Sequence, residues 1–228
     1  HPKDMQDGII EVSKNDISTN LPYVEGVYMS LDHHASEVTR TGGDSHNNII
    51  DPSAPSAARV VYDYFGGKDA FPNTSTDMMD AVDKADSAMF TKNDILHPDG
   101  WELLSFIMDS RTGLGRFRDF RISNYKLMTD LIDHCLTEQN IEDILNKPDV
   151  KERVDLYRAH HVKHVGQINA CTTIEDNLAL VDLREEDTIW AGNRFIIYAL
   201  FPETNISCHV LHGKDKLNTV FAVGKSII

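Results

Sequence analysis

A short apolar run that leads directly into an acid and two adjacent histidines constrains the fold of this chain most strongly. The run Val27–Leu31 (VYMSL) is rich in β-forming residues, and Asp32, His33 and His34 follow it without a break. Consecutive side chains on a regular strand point to opposite faces, so two histidines at its end can serve two tasks. One can bind a metal through neutral imidazole while its neighbour faces substrate, and Asp32 can orient a ring by accepting its second N–H. The alternative is a histidine pair in a solvated turn.

The charge balance limits the partners of the chain. With 228 residues, the chain forms one large domain or two small ones. Lys plus Arg number 22 and Asp plus Glu number 36, which gives a net charge of 22 − 36 = −14. Contacts to nucleic-acid phosphates need Lys and Arg, so an acidic chain is a poor general nucleic-acid binder. An anionic substrate therefore has to be held by metal cations and a local basic cluster.

Cysteine usage and hydropathy predict a cytoplasmic protein. The three cysteines are odd in number, widely spaced and form no C-x-x-C pattern, which indicates reduced thiols in a cytosol. No apolar run approaches the roughly 18 residues of a membrane span, and no signal peptide is visible. The sequence begins with His1-Pro2 rather than Met, so we expect that a natural N-terminus is missing.

An acid upstream of the histidines is a candidate metal ligand. Residues 8–12 (GIIEV) predict a short strand, and residues 15–19 predict the loop that follows it. If this strand and the strand before His33 are parallel neighbours, then Asp16 and His33 face one cleft, because open α/β sheets bind ligands at the carboxyl ends of their strands. The alternative is that Asp16 only caps the turn in which it lies, as Asx residues commonly do.

Two helices are predicted after the histidines. Residues 38–54 are polar and glycine-rich, which predicts a loop. Residues 55–65 place apolar side chains at helical spacing between a proline and a glycine pair, so they predict a helix. Residues 76–88 predict a second helix with four acids at a spacing of three residues, Asp77, Asp80, Asp83 and Asp86. These acids form either a solvated stripe or, at Asp83 or Asp86, a further ligand for a cation.

The arginines of the chain are concentrated in one segment. The apolar helix predicted over 101–108 runs into residues 109–121, which hold Arg111, Arg116, Arg118 and Arg121. Neighbouring glycine, serine and threonine residues allow backbone and hydroxyl groups to approach an anion, so the segment predicts phosphate binding. Alternatively, these arginines pair with the surplus acids of the chain.

The second half of the chain changes from predicted helices to short predicted strands. Residues 123–165 predict helices, and within them His160-His161-x-x-His164 has a spacing that can bind a metal. This motif lacks the partner acid of a zinc protease, so a solvated helix surface is favoured. From residue 166 we predict a second, smaller α/β unit of short strands, in which residues 195–201 fit a strand or a buried helix equally well.

These residues together resemble the DHH phosphoesterase superfamily, and most closely its exopolyphosphatase-like proteins. The likeness covers nearly the whole chain. The segments that carry it are HPKDM (1–5), DHHASE (32–37), AVDKAD (81–86), RTGLGRF (111–117) and GKSI (224–227).

The resemblance implies a domain order and a metal-dependent chemistry. It implies a parallel-sheet DHH domain over residues 1–122, a helical linker over 123–165 and a DHHA1-type substrate-binding domain over 166–228. Members bind two divalent cations, most commonly Mn²⁺ or Mg²⁺, and hydrolyse phosphoric esters or anhydrides with a metal-activated water. Carboxylate and imidazole ligands suit such cations.

The resemblance also assigns roles to individual residues. Asp16 and His33 would be metal ligands, and Asp86, or else Asp83, would be the late carboxylate ligand. His34 would face the substrate phosphate, with Asp32 beside it in the catalytic motif. The residues expected to bind substrate are Arg111, Arg116, Arg118, Lys225 and Ser226.

Two family motifs are absent from this sequence. The Asp-x-Asp-Gly motif of the first strand is missing, as is the glycine-rich, histidine-containing motif near the end of the C-terminal domain. We therefore expect a fragment, or a longer protein, with part of its metal site elsewhere.

The expected function is a metal-dependent phosphoesterase for polyphosphate, short oligonucleotides or nucleotide phosphates. The alternatives are a catalytically silent nucleotide- or phosphate-binding protein of the same fold, and an unrelated α/β protein. The expected partners are a small phosphate-rich substrate, short single-stranded nucleic acid and a second copy in a homodimer, with no membrane.

Overall fold

A computed structural model describes residues 2–117, 119–137 and 140–228. The chain divides into two units, His1–Met89 and Phe90–Ile228, and each has a sheet and helices of its own. The α/β class expected from the sequence is confirmed. The boundaries at 122/123 and 165/166 rest on the family resemblance and remain a prediction.

The first unit is built on a parallel sheet of three strands in the order β1-β2-β3. The strands are β1 (Ile17–Thr19), β2 (Met29–Asp32) and β3 (Asn48–Ile50). Leu31, at the centre of β2, is completely buried, and Ile50 is nearly so. Because the strands run parallel, the loops that leave their carboxyl ends meet at one edge of the sheet. Asp32, His33 and His34 lie at this edge.

Four helices accompany this sheet, namely α1 (Pro2–Gln6), α2 (Ala35–Thr41), α3 (Ala57–Tyr64) and α4 (Thr76–Asp86). The side chain of Ser56 caps α3 by accepting the N–H of Arg59, and Ser75 caps α4 by accepting the N–H of Met78. Such caps satisfy backbone donors that have no partner inside the helix. The helices predicted over 55–65 and 76–88 are confirmed.

Three sequence predictions in this unit are wrong. Residues 8–12 form no strand, and Ile9 and Ile10 are exposed. The predicted loop at 15–19 contains β1, and the predicted loop at 38–54 contains the end of α2 and all of β3. The reason is the same in each case: a strand forms where a neighbouring strand can pair with it, and local propensity only modulates that choice.

In the second unit the chain is mostly helical up to residue 171. The helices are α5 (Lys92–Leu96), α6 (Gly100–Met108), α7 (Asn124–Thr137), α8 (Ile141–Leu145) and α9 (Pro148–Cys171). Pro148 opens α9, where its missing N–H costs no hydrogen bond. The helices predicted over 101–108 and 123–165 are therefore confirmed, apart from residues 138 and 139, which lie outside the described residues.

The second sheet has four strands in the order β4-β5-β6-β7. They are β4 (Thr172–Glu175), β5 (Leu178–Asp182), β6 (Ile206–His212) and β7 (Thr219–Lys225). β5 and β6 are parallel, and the outer pairs are antiparallel. A short buried helix, α10 (Ile196–Leu200), lies in the connection from β5 to β6. Of the two structures that residues 195–201 fitted equally well, the helix is therefore the one that forms. Parallel neighbours need such a crossover.

Two further expectations from the sequence concern membrane-spanning helices and the state of the cysteines. Among the residues that the structure describes, no helix combines the length and the apolar character needed to cross a bilayer. Cys135, Cys171 and Cys208 are all free thiols. Burial raises the pKa of the Cys135 thiol.

Candidate active site

Asp32 organises the carboxyl edge of the first sheet. It is the last residue of β2, and its side chain is buried. Its Oδ1 accepts the backbone N–H of His33 at 2.8 Å and lies 2.8 Å from Nδ1 of His34. A carboxylate only accepts, so Nδ1 of His34 carries the proton and Nε2 points away from Asp32. The orienting role predicted for Asp32 therefore has the required geometry, with His34 as the oriented ring.

His33 is fixed by a different partner and faces Asp86. Its Nδ1 lies 3.2 Å from the carbonyl oxygen of Ala54, to which it donates. Its Nε2 lies 3.2 Å from Oδ2 of Asp86, near the end of α4. The two atoms do not have hydrogen-bond geometry, so the buried Nε2 has no hydrogen-bond partner. Ligand atoms of one cation lie about 3 Å apart when the bonds are about 2.0–2.2 Å, so this pair fits a shared divalent cation.

The two histidine rings do not diverge as a regular strand would require. β2 ends at Asp32, so His33 and His34 belong to the connection to α2, for which His34 is the N-cap residue. Their rings meet edge to face, with centroids 4.6 Å apart. One atom each from Asp32, His33 and His34 lies within 4.8 Å of the others, the single such group of possible ligands among the described residues.

Asp83, the second candidate for the late ligand, has a structural partner instead. Its Oδ1 accepts from the hydroxyl of Ser56 at 2.6 Å, and its Oδ2 accepts from Nε of Arg59 at 2.8 Å. This ion pair, with its hydrogen bonds, raises the pKa of Arg59. Asp83 therefore ties α4 to α3, whereas Asp86 faces His33. Between the two acids, the geometry favours Asp86 as the ligand.

The predicted convergence of Asp16 on His33 is wrong. Asp16 precedes β1, and its carbonyl accepts the N–H of Tyr28, the residue before β2. It therefore lies at the amino edge of the sheet, whereas His33 lies at the carboxyl edge. The length of strand between the two levels is about 16 Å. Its Oδ2 accepts from the N–H and the hydroxyl of Ser13 at 2.7 and 2.8 Å, so Asp16 stabilises a turn. The prediction failed because it placed the strand before Asp16 rather than after it.

The residue that follows β1 at the carboxyl edge is Asn20, which the sequence analysis missed. Its N–H donates to the carbonyl of Leu31 at 3.1 Å, which places it beside the end of β2. Its φ of 57° is left-handed, a conformation that Asn tolerates better than most residues. The β-branched residues Ile17 and Thr19 were the available signal for a strand ending here.

The second unit contains a cavity of about 410 Å³ with a cationic lining. Its cations are Arg111, Arg116, Arg194 and Lys225. Apolar walls come from residues such as Trp190 and Phe195, and neutral polar groups come from His164, Gln167, Tyr198 and Ser207. Apolar walls with a few polar groups are typical of small-molecule sites, and the cations favour an anionic ligand.

The backbone of the RTGLGRF segment (111–117) is shaped around the guanidinium of Arg116. A Cβ on Gly113 would lie 2.2 Å from Nη2 of Arg116, and Gly113 has a φ of +84°. The left-handed φ favours glycine here, whereas the flexible end of Arg116 could move away from a Cβ. Nη2 of Arg116 donates to the carbonyl of Ile189 at 3.1 Å, and burial lowers the pKa of Arg116.

The other predicted substrate-binding residues divide into three groups. Arg111 and Lys225 line the cavity, although Nε of Arg111 also donates to Asp109 at 2.8 Å. The hydroxyl of Ser226 is held by the backbone of Ile228, and Ser226 is not among the cavity residues. β7 ends at Lys225, so Lys225 is the last strand residue and Ser226 lies beyond it. Arg118 lies outside the described residues.

His164 is the most unusual group in this cavity. It is only 9% exposed, and neither of its ring nitrogens has a hydrogen-bond partner. Burial, reinforced by the neighbouring His209, lowers the pKa of His164 to about 4. A Cβ on Gly192 would lie 1.9 Å from its ring, so the glycine makes room for it. At neutral pH, His164 is therefore an uncharged side chain in the wall of the cavity, with both ring nitrogens buried.

The solvated helix surface predicted for the 160–164 motif is wrong. His160 and His164 lie one turn apart on the buried face of α9. The ring of His160 packs edge to face on Trp190 and Phe117, and its Nδ1 accepts the N–H of Ala191. The buried face was hard to predict, because polar residues occur on every face of this helix.

One solved structure similar to this chain is a pGpG-specific phosphodiesterase, PggH, from Vibrio cholerae. The two share 54% sequence identity with a TM-score of 0.87, and the match covers 100% of this chain and 73% of that chain. No family profile and no curated protein matches this chain.

Proposed function

Because this chain belongs to the DHH phosphoesterase superfamily, a class of metal-dependent hydrolases, we propose that it cleaves the phosphodiester bond of a short linear dinucleotide with a 5′ phosphate, such as pGpG. The observation that carries this proposal is the 54% identity to the pGpG-specific enzyme over the whole of this chain. The Asp32, His33, His34 and Asp86 cluster supports it, since it combines two cation ligands with an oriented imidazole.

His33 and Asp86 would hold a divalent cation through Nε2 and Oδ2, and we propose Mn²⁺ or Mg²⁺ for this position. When bound, such a cation lowers the pKa of a coordinated water and offsets negative charge on a phosphate. Imidazole and carboxylate donors suit these hard or borderline cations. The hydrogen bond from His33 to Ala54 fixes the ring so that Nε2 keeps its lone pair for the metal.

His34 is the residue of this cluster that can meet the phosphate. Its side chain is 52% exposed, and Asp32 fixes the ring through Nδ1, so Nε2 is free to interact with a phosphate oxygen or with a proton in transfer. The orientation needs no rearrangement during reaction, which is how a positioned group contributes to rate. Asp32 acts through His34 and is a positioning residue.

The cavity of the second unit supports a nucleotide substrate over inorganic polyphosphate. Its cations fit a phosphate, while its apolar walls and neutral polar groups provide surface for a base and sugar. We propose that Arg111, Arg116 and Lys225 bind substrate phosphate there. A cytoplasmic location is likewise proposed, on the three free cysteines.

The direct test is hydrolysis of pGpG by the purified full-length protein with and without Mn²⁺. We expect two molecules of GMP per pGpG, no product after chelation, and slower release of phosphate from tripolyphosphate. Tight pGpG binding without product would instead support the silent nucleotide-binding alternative. Preferential hydrolysis of tripolyphosphate would contradict the proposed substrate.

Replacement of Lys225 by alanine is expected to raise KM for pGpG about tenfold with little change in kcat. The lysine lines the cationic cavity, so its loss weakens binding of ground state and transition state alike. The matched control is Lys151→Ala, because Lys151 forms an exposed ion pair with Asp155 on α9 and does not line the cavity. Unchanged kinetics in Lys225→Ala would contradict a role of this cavity in substrate binding.

A further inference from the structure

Asp109 holds two arginines of the cationic cavity by their inner nitrogens. Its Oδ1 accepts from Nε of Arg111 at 2.8 Å, and its Oδ2 accepts from Nε of Arg194 at 3.3 Å. Both arginines line the cavity. Among the residues that the structure describes, the terminal Nη nitrogens of these two arginines have no hydrogen-bond acceptor. The two guanidinium groups are therefore fixed at Nε and keep their Nη donors for a ligand.

The surroundings of Arg194 fix its guanidinium before a ligand binds. The guanidinium carbon lies 4.1 Å from the centre of the Phe195 ring, and Phe195 is buried. The preceding residue, Asn193, is also buried, and its side chain donates to the carbonyl of Ile95 at 2.8 Å and accepts the N–H of Phe195 at 2.9 Å. Arg194 thus lies between two anchored residues, so a ligand has little side-chain freedom to remove.

The cavity has an excess of positive charge. Four cations line it, namely Arg111, Arg116, Arg194 and Lys225. No Asp or Glu is among the described residues of this lining, and in the described part of the chain the acid that forms ion pairs with these cations is Asp109. Burial and the neighbouring charge of Arg111 lower the pKa of Arg194. An anion with more than one negative charge would offset this excess and relieve the repulsion between the two arginines.

A linear dinucleotide with a 5′ phosphate carries two phosphates of different charge. The diester between the nucleosides has one negative charge, whereas a terminal phosphate monoester has about −1.5 to −2 at pH 7. The diester is the bond to be cut, so it belongs at the proposed cation on His33 and Asp86. The cationic cavity is then left for the monoester, whose three free oxygens suit guanidinium groups that each bind two oxygens.

We propose that Arg111 and Arg194 bind the terminal 5′ phosphate of the dinucleotide, and that Asp109 is a positioning residue that aims both guanidinium groups at it. This inference rests on the proposed function and names the residues by which the protein selects its substrate. A dinucleotide that begins with a 5′ hydroxyl lacks the group that the two arginines bind. The preference for a 5′ phosphate is therefore set by residues other than those proposed to cut the bond.

The test compares pGpG with GpG, which lacks only the terminal phosphate, in the full-length protein with Mn²⁺. We expect kcat/KM of the wild type to be at least about tenfold higher for pGpG. Arg194→Ala should lower kcat/KM for pGpG about 10–100-fold, as for lost hydrogen bonds to a charged group, and leave that for GpG within about twofold. A folding defect would instead lower both values. The matched control is Arg158→Ala, which should keep the preference, because Arg158 forms an exposed ion pair with Asp99 and does not line the cavity.

Asp109→Asn separates positioning from charge. If Asp109 only offset the positive charge of the cavity, its neutralisation would strengthen the binding of an anion. A positioning residue predicts the opposite, a roughly tenfold lower kcat/KM for pGpG with that for GpG unchanged, because the amide keeps one acceptor oxygen for two arginines. An unchanged or higher kcat/KM for pGpG in this variant would overturn the positioning role.

Calorimetric binding of both dinucleotides to the chelated protein separates this inference from the proposed function. Tighter binding of pGpG than of GpG that is lost in Arg194→Ala, without hydrolysis of either when Mn²⁺ is added, would contradict the hydrolase and support the role of the two arginines. Hydrolysis of both dinucleotides with equal kcat/KM, or a preference for pGpG that survives Arg194→Ala, would overturn this inference alone. A protein that neither binds nor hydrolyses pGpG would overturn both.

Discussion

Asp86→Asn is expected to lower the rate of Mn²⁺-dependent hydrolysis at least about 100-fold and to weaken Mn²⁺ binding by a similar factor. The carboxylate of Asp86 faces the unpartnered Nε2 of His33 at 3.2 Å, and an amide oxygen is a weaker, neutral ligand for a hard cation. Loss of a residue that only supports a metal ligand typically costs about 10–100-fold, so loss of a ligand should cost at least as much. Calorimetric titration with Mn²⁺ and the pGpG assay measure the two effects.

The matched control is the same substitution at Asp83, one turn earlier on α4. Asp83→Asn breaks the contacts to Ser56 and Arg59, so we expect about 1–3 kcal/mol lower unfolding free energy with Mn²⁺ binding largely kept. The exposed Asp77→Asn should change neither quantity. If all three variants lose Mn²⁺ equally, the acids act as a diffuse charged stripe and Asp86 is not a ligand.

Acid is expected to destabilise the second unit well before its carboxylates are protonated. His164 is buried, and its pKa is about 4 in the folded chain against 6.5 for the unfolded residue. The unfolded state therefore binds one more proton between these values. The contribution of His164 is fully present above pH 6.5 and is lost as pH falls toward 4, which amounts to about 3 kcal/mol. Burial also lowers the pKa of His209 and His161, which adds in the same direction.

Urea unfolding followed by tryptophan fluorescence measures this effect in the intact chain. Both tryptophans, Trp101 and Trp190, belong to the second unit. His164→Asn removes the titrating group but keeps a neutral donor and acceptor, so the slope of unfolding free energy against pH should fall by about one proton between pH 4 and 6.5. An unchanged slope in this variant would show that His164 is not the buried neutral group responsible.

How far the sequence predicts this fold depends on the length of the element. Helices such as 55–65 and 76–88 carry caps and periodic apolar residues within one segment, so they could be predicted locally. The three-residue strands β1 and β3 could not. They exist because β2 pairs with both of them, and that pairing joins residues far apart in the sequence.

The candidate site was predictable to the same extent. The closeness of Asp32 to both histidines in sequence was enough to predict that it orients a ring, but not that this ring is His34. The choice of Asp86 over Asp83 was not, because both lie on α4, and only the position of Arg59 on α3 decides which acid is already paired. The error at Asp16 follows from a strand placed a few residues too early, which moves a side chain to the opposite edge of a sheet.

The edge-to-face contact between the rings of His33 and His34 couples the positions of the two imidazoles. Consecutive residues share a peptide plane, and these two rings also touch, so neither imidazole can shift without disturbing the other. If His33 binds the proposed cation and His34 meets the phosphate, a cation of different radius at His33 would displace His34. Adaptation to a new metal would then demand compensating changes around His34, and a cell short of one ion could not simply substitute another without loss of rate.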